Sequence, residues 1–243
     1  MKKIVAYIGS RKGTKSNTYK FISQILEVTK QKFNSIEYEI ITSNQLNIQP
    51  CNGCDTCFET AECPYDKYDD MGKLRQKIIN SDFVIFGSPV YAHNVSGDLK
   101  IFFDRSSSWM HTMRLHGKGS MVCTTTSTSG HTTSLDYMSK IMNHYGSNLV
   151  AKYNCSVDYP EELYNEDWMG NTTELLSEEI IKSISNPQKS NSDLEYIFKS
   201  LKEIMSKCKD NNIENGELEY WKESRLIDYN TFQDFLDNEY NKN

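Results

Sequence analysis

The sequence has no apolar run near the roughly 20 residues that a helix needs to cross a bilayer, so no membrane span is expected within its 243 residues. It also lacks a basic stripe. The net charge is −6, and Lys, Asp and Glu are intermingled along the chain. That excludes the electrostatic footprint that nucleic acid or an anionic membrane surface would select. The opening Met1-Lys2-Lys3-Ile4-Val5-Ala6-Tyr7 is broken at Gly9, Ser10 and Arg11 before a signal-peptide core is reached, so a cytoplasmic location is expected. Around Gly9 and Gly13 there is neither a G-x-G-x-x-G fingerprint nor the Gly-Lys-Ser/Thr of a P-loop, which disfavours a Rossmann dinucleotide site and an ATPase. No internal repeat or low-complexity tract is evident. The five histidines, His93, His111, His116, His131 and His144, show no metal-ligand spacing.

What is present alternates between strand-like and helix-like runs. The apolar run over residues 3–8 suits a strand covered on both faces. Phe21, Ile22, Ile25, Leu26 and Phe33 recur at helical spacing, predicting a helix from Ser16 or Asn17. Residues 35–42 read as a second strand, Phe83-Val84-Ile85-Phe86 as a third that stops at Gly87-Ser88-Pro89, Met121-Val122-Cys123 as the centre of a fourth, and residues 149–153 as a fifth. Helical faces lie between them: one follows Asp69 and Asp70, acids favoured at a helix start, one holds Leu99, Ile101, Phe102 and Phe103, and one holds Met138, Ile141, Met142 and Tyr145.

Strands alternating with helices imply an α/β doubly wound fold with a five-stranded parallel sheet. The length exceeds one such domain and falls short of two. We therefore expect a domain over residues 1–157, with a cysteine-rich loop at 50–70, and a helical C-terminal extension over 158–243. The extension opens with the polar run Tyr159-Pro160-Glu161-Glu162. It carries Leu194, Ile197, Phe198, Leu201 and Met205 at helical spacing, then Trp221, Phe232, Phe235 and Leu236. So many large apolar groups suit packing on the core or on a second subunit rather than a solvated tail.

Ligands of open parallel sheets bind outside the carboxyl ends of the strands, and three loops at such ends are informative. The first offers hydroxyls from Ser10, Ser16 and Thr18, an amide from Asn17, cations at Arg11 and Lys12, and the free N–H groups of a helix start, which together suit a terminal phosphate. A polar loop with an ordinary helix cap is the competing reading. The second runs from Gly87 to Gly97. Pro89 stiffens its backbone, Tyr91 can cover a planar ring, and N–H groups near Val90 can meet a ring's polar edge. The third, Thr124-Thr125-Thr126-Ser127-Thr128-Ser129-Gly130, is a run of small residues that permits close backbone approach.

The strongest chemical signal is Cys51-x2-Cys54-x2-Cys57-x5-Cys63-Pro64. Four thiolates separated by short spacers suit a [4Fe–4S] cluster, and Gly53 eases wrapping. Zinc on the same sulfurs, a disulfide pair, or no metal at all are the alternatives. Cys123, Cys155 and Cys208 stand apart and read as buried or inert thiols.

The first loop Gly-Ser-Arg-Lys…Ser-Asn-Thr, the Gly-Ser-Pro-Val-Tyr turn with Gly97…Lys100…Phe103-Asp104-Arg105, and the Thr/Ser-rich third loop together resemble the NADPH-dependent FMN reductase family of flavodoxin-like proteins, over about residues 1–155. The cysteine motif followed by Asp69-Asp70-Met71 is similar to the iron–sulfur flavoprotein branch of that family. The resemblance implies strand order 2-1-3-4-5, with a Rossmann order as the competitor. It implies FMN with its phosphate at Ser10, Arg11 or Lys12, Ser16, Asn17 and Thr18, and its ring near Pro89, Val90, Tyr91, Thr124, Ser127 and Gly130. It further implies a [4Fe–4S] cluster on Cys51, Cys54, Cys57 and Cys63, and assembly as a homodimer or homotetramer. The function that follows is an FMN-dependent oxidoreductase or electron-transfer flavoprotein, with NAD(P)H or ferredoxin as donor and a small molecule or protein as acceptor. No catalytic side chain is required, because the flavin itself carries the hydride. One departure is that family members often have Pro directly after the first Ser, where Arg11 stands here, so the cation that meets the phosphate is left open. A different class of reading is a flavin- or metal-sensing module whose 221–240 region contacts a partner.

Overall fold

The alternation of apolar residues in the central strands decides the architecture. In β1 (Lys2–Ile8) Val5 and Tyr7 enter one apolar core while Ile4, Ala6 and Ile8 enter a second. Both sets are buried, so helices have to cover both faces of the sheet. The computed structural model describes residues 1–158 and 160–241. Tyr159, which the sequence places at the start of the extension, lies outside the described residues, as do Lys242 and Asn243.

Along the chain follow α1 (Asn17–Lys32), β2 (Ile36–Thr42), α2 (Thr56–Thr60), α3 (Met71–Ile79), β3 (Phe83–Tyr91), β4 (Asn94–Val95), α4 (Gly97–Arg105), α5 (Trp109–Thr112), β5 (Gly119–Thr126), α6 (His131–His144) and β6 (Asn148–Ser156). Five strands run parallel in the order β2-β1-β3-β5-β6, the flavodoxin-like winding, and β4 is added as a short antiparallel hairpin on β3. Helices α3, α4 and α6 cover the Val5 and Tyr7 face, and α1 covers the other.

Two boundaries differ from the sequence reading. β3 does not stop at Gly87-Ser88-Pro89 but continues to Tyr91, with Ser88 and Pro89 registered on Thr124 and Thr125 of β5. β1 ends its pairing at Ile8 opposite Gly87. Beyond that point β3 is a local edge, where a proline's missing N–H is tolerated. For the same reason Thr124, Thr125 and Thr126 belong to β5, leaving Ser127 to Gly130 as the loop proper.

The extension packs on the body of the same chain. Its α7 (Glu166–Ser185) lies on α1 and gives Met169, Leu176, Ile180 and Ile184 to the core shared by β1. The remaining helices, α8 (Ser192–Asp210), α9 (Gly216–Glu223) and α10 (Phe232–Glu239), enclose a third apolar cluster. There Phe198 stacks on Trp221 with centroids 5.5 Å apart, and Met113 enters from the body. Trp221 Nε1 donates to the His111 carbonyl at 2.8 Å. Among the described residues no helix is long and apolar enough to cross a membrane.

Candidate functional site

The first loop leaves β1 at Ile8, makes a single 3-10 turn at Gly13–Lys15, and enters α1. Ser16 stands at the N-cap position but makes no side-chain cap bond, and the first turn of α1 contains no acid. Its leading N–H groups are therefore left for an anion. Ser10, Ser16 and Thr18 are buried around this opening and Asn17 is half-buried. Glycine is required just before the loop. A Cβ on Gly9 would lie 2.6 Å from Ser96 Oγ and from Leu99 Cβ. The cradle thus fits a nucleotide's terminal phosphate.

Of the two candidate cations, Arg11 is engaged: its Nη2 and Nε reach Asp98 Oδ1 at 2.8 and 3.1 Å, and Ser43 Oγ donates to the same carboxylate at 3.2 Å. Lys12 stands exposed beside it. The third loop joins the first through Thr125, whose hydroxyl lies 2.7 Å from that of Thr18 in a buried position. Thr124, by contrast, donates sideways to Asn154 Oδ1 at 2.9 Å. Thr125 was not singled out in the sequence. Nothing local distinguishes it from its threonine neighbours until the strand register is known.

On the second loop Ala92 and His93 adopt positive φ and close the β3–β4 hairpin. Tyr91 is left 54% exposed at its tip, with Pro89 and Val90 half-buried behind it. Gly130, at φ 88°, sits so close to His93 that a Cβ would come within 2.7 Å of its Cα. The hairpin and the third loop therefore meet. Ser127 is exposed on that rim.

The four clustered cysteines line one cavity of about 340 Å³, together with Tyr65 and Arg105. None is in a disulfide. Among the described residues no three His, Cys, Asp or Glu side chains converge on a single-ion site. A cubane cluster holds its thiolates further apart than one ion does. The Thr56 hydroxyl and backbone lower the pKa of Cys54, whereas burial, followed by the charge of Cys63, raises that of Cys57.

Beneath the loop lies a buried ionic network. Arg105 Nη1 reaches Asp69 Oδ2 at 2.6 Å and the Gln49 carbonyl at 2.8 Å, and its Nη2 reaches Asp66 Oδ1 at 2.9 Å. Arg75 pairs with the other oxygen of Asp66. Asp69 also accepts from the N–H groups of Gln49 and Met71. These bonds offset the burial that would raise the Asp69 pKa, and they hold it below the usual carboxylate value. Both ends of the cysteine loop are thereby tied to one point. Among the described residues two buried guanidinium nitrogens, Arg75 Nη2 and Arg105 Nε, have no acceptor, which fits an anionic group in or beside the cavity.

Helix α4 connects the two regions. Ser96 caps it by accepting from Leu99 N–H, Asp98 holds Arg11 of the first loop, and Arg105 at its last turn holds the cysteine loop. The rise from Asp98 to Arg105 is about 10 Å.

A flavodoxin-like sheet with an open helix N-terminus and converging loops at its strand ends is the architecture of a flavin-nucleotide oxidoreductase class. Residues 2–161 match the family model for NADPH-dependent FMN reductase, and the chain belongs to that family. Relatives include an iron-sulfur flavoprotein of Archaeoglobus fulgidus, 28% identical over 232 residues that cover 93% of this chain and 100% of that one. Another, an iron-sulfur flavoprotein of Methanosarcina thermophila, is 35% identical over 105 residues, covering 43% of this chain and 52% of the relative. Among solved structures, RosB with a bound formylriboflavin phosphate superposes with a TM-score of 0.64 at 11% identity, covering 87% of this chain and 88% of that one. That likeness concerns the fold. The chain is an FMN-dependent oxidoreductase or electron-transfer flavoprotein, as the sequence reading held.

Proposed function

We propose that this flavoprotein takes electrons from NAD(P)H or ferredoxin into FMN and exchanges them with a [4Fe–4S] cluster on Cys51, Cys54, Cys57 and Cys63, delivering them to a small-molecule or protein acceptor in the cytoplasm. The observation that carries the reading is α4, which ties the first loop, the one that leads into the open N-terminus of α1, to a loop of four unpaired thiols at its other end. Buried guanidinium groups with orphaned N–H bonds support an anionic cluster there over four neutral thiols. Ser10, Ser16, Asn17, Thr18 and the leading N–H groups of α1 bind the phosphate, with Lys12 as the cation, since Asp98 holds Arg11. Pro89, Val90 and Tyr91 take one side of the ring, and the rim from Thr124 through Ser127 to Gly130 bounds the other.

When bound, FMN supplies hydride and single-electron chemistry and the cluster supplies one-electron steps. The chain's own residues orient the two groups and exclude water. Tyr65, Tyr68 and Tyr91 are exposed around these loops, which supports their burial against a second copy in a homodimer or homotetramer.

Anaerobic reconstitution tests this directly. The expected product binds FMN stoichiometrically, contains iron and sulfide near four of each per chain, and loses its flavin absorbance on mixing with NAD(P)H or reduced ferredoxin. A protein that takes up FMN but neither iron nor sulfide would leave the flavin assignment standing and remove the cluster.

A further inference from the structure

Arg105 is buried more completely than its ion pairs require. Its side chain is 1% exposed, and four of its donor contacts go to Asp66, Asp69 and the Gln49 carbonyl. Arg75 and Arg105 are balanced by Asp66 and Asp69, so the network carries no net charge before anything enters the cavity. Two donors are left over, Arg75 Nη2 and Arg105 Nε, and the second belongs to a residue that lines the cysteine cavity. Arg105 Nε is buried and has no acceptor among the described residues, while the guanidinium lines the same cavity as the four cysteines. Cys63 stands close enough for its sulfur to favour the charged guanidinium. An orphaned N–H on a cation enclosed at a sulfur cavity is costly unless an anion completes it.

We infer that Arg105 is a positioning residue for the cluster, donating to the Cys63 sulfur and favouring the reduced state. The inference rests on the cluster reading above. One electron added to the cluster raises its negative charge by one, with no bond made or broken, and hydrogen bonds and local positive charge at the sulfurs move the potential of such a couple upward. A residue that only propped the loop through Asp66 and Asp69 would set the loop's stability and leave the potential where it was.

The test compares wild type with Arg105→Gln, Arg105→Lys and Asp69→Asn. Each is reconstituted anaerobically, assayed for iron and sulfide, and titrated with dithionite while the cluster is followed by electron paramagnetic resonance. For fully loaded Arg105→Gln the expected result is at least a tenfold loss in stabilisation of the reduced form, about 59 mV more negative for a one-electron couple, with Arg105→Lys recovering most of it. Asp69→Asn keeps the shape of its acceptor and removes a compensating charge, so its potential is expected to rise. A loaded Arg105→Gln with an unmoved potential, or equal shifts in the Gln and Lys variants, would overturn the role of Arg105. Should Arg105→Gln fail to load, Asp69→Asn decides: a rise supports the role and no rise defeats it. Wild type devoid of iron and sulfide overturns the cluster and this inference together, whereas loaded wild type with insensitive variants overturns the inference alone.

Discussion

Thr125 joins two of the ligand loops by one buried contact, its hydroxyl 2.7 Å from that of Thr18. Thr125→Val would leave the Thr18 hydroxyl without its partner, at a cost of about 1–3 kcal/mol. The expected result in urea unfolding is a lower midpoint with an unchanged slope; an unmoved midpoint would mean the contact contributes nothing. His116 makes a second sensitive point. Its ring bonds the hydroxyls of Tyr220, at 2.7 Å, and Tyr240, and burial, with Lys118 and Arg114 adding to it, pulls its pKa down to about 3. Because the folded value is depressed, the unfolded chain takes up the proton first. The stability supplied by the neutral ring is therefore complete above its ordinary pKa of about 6.5 and drains as pH falls toward 3. Thermal melts of wild type and His116→Phe are expected to differ most near pH 7 and to converge near pH 4. A gap of constant size would show that the ring is not kept neutral.

Helix α9 meets the cysteine helix α2 through Gly216, where a Cβ would stand 2.3 Å from the Thr60 carbonyl carbon. His111 secures the same junction, its Nδ1 2.8 Å from Glu217 Oε1 and its ring 5.2 Å from Phe58. Gly216→Val overfills this contact, a cost of about 1–3 kcal/mol, which is enough to raise the undocked population roughly tenfold. Alkylation of Cys57 in the cluster-free protein is expected to speed up by a similar factor, and an unchanged rate would show that α9 does not cover it. The sequence revealed the succession of β1, α1 and β2 because β1 is an apolar run stopped by a turn, α1 keeps a helical period and β2 alternates. It did not reveal that Pro89 lies inside β3, since only the early end of β1 makes a proline tolerable there. Nor did it reveal the distant partners of Asp69: the acid reads as a helix-start residue, and its carboxylate does accept from the nearby Met71 N–H, yet it also joins Gln49 and Arg105, which are far away in sequence. Residue types and spacing displayed the cysteines and the phosphate loop. The ionic network exists only through tertiary contacts.

At the scale of the whole molecule, the extension completes the body. The sequence allowed the aromatic residues after Ser206 to serve a partner, but Trp221, Phe232 and Phe235 are buried against Phe198 within this chain. Deleting residues after Ser206 would expose Leu194, Phe198 and Met113. The expected outcome is aggregation or a clearly lower melting temperature, while a merely appended oligomerisation module would leave the melt of the body intact. Helix α4 has a consequence at this scale too. One added residue between Leu99 and Phe102 would rotate every later side chain by about 100° and carry Arg105 away from Asp66 and Asp69 while Asp98 stayed with Arg11. Surface loops of this molecule can drift in length over evolutionary time, but the strut between its two ends cannot gain or lose a residue without severing one of them.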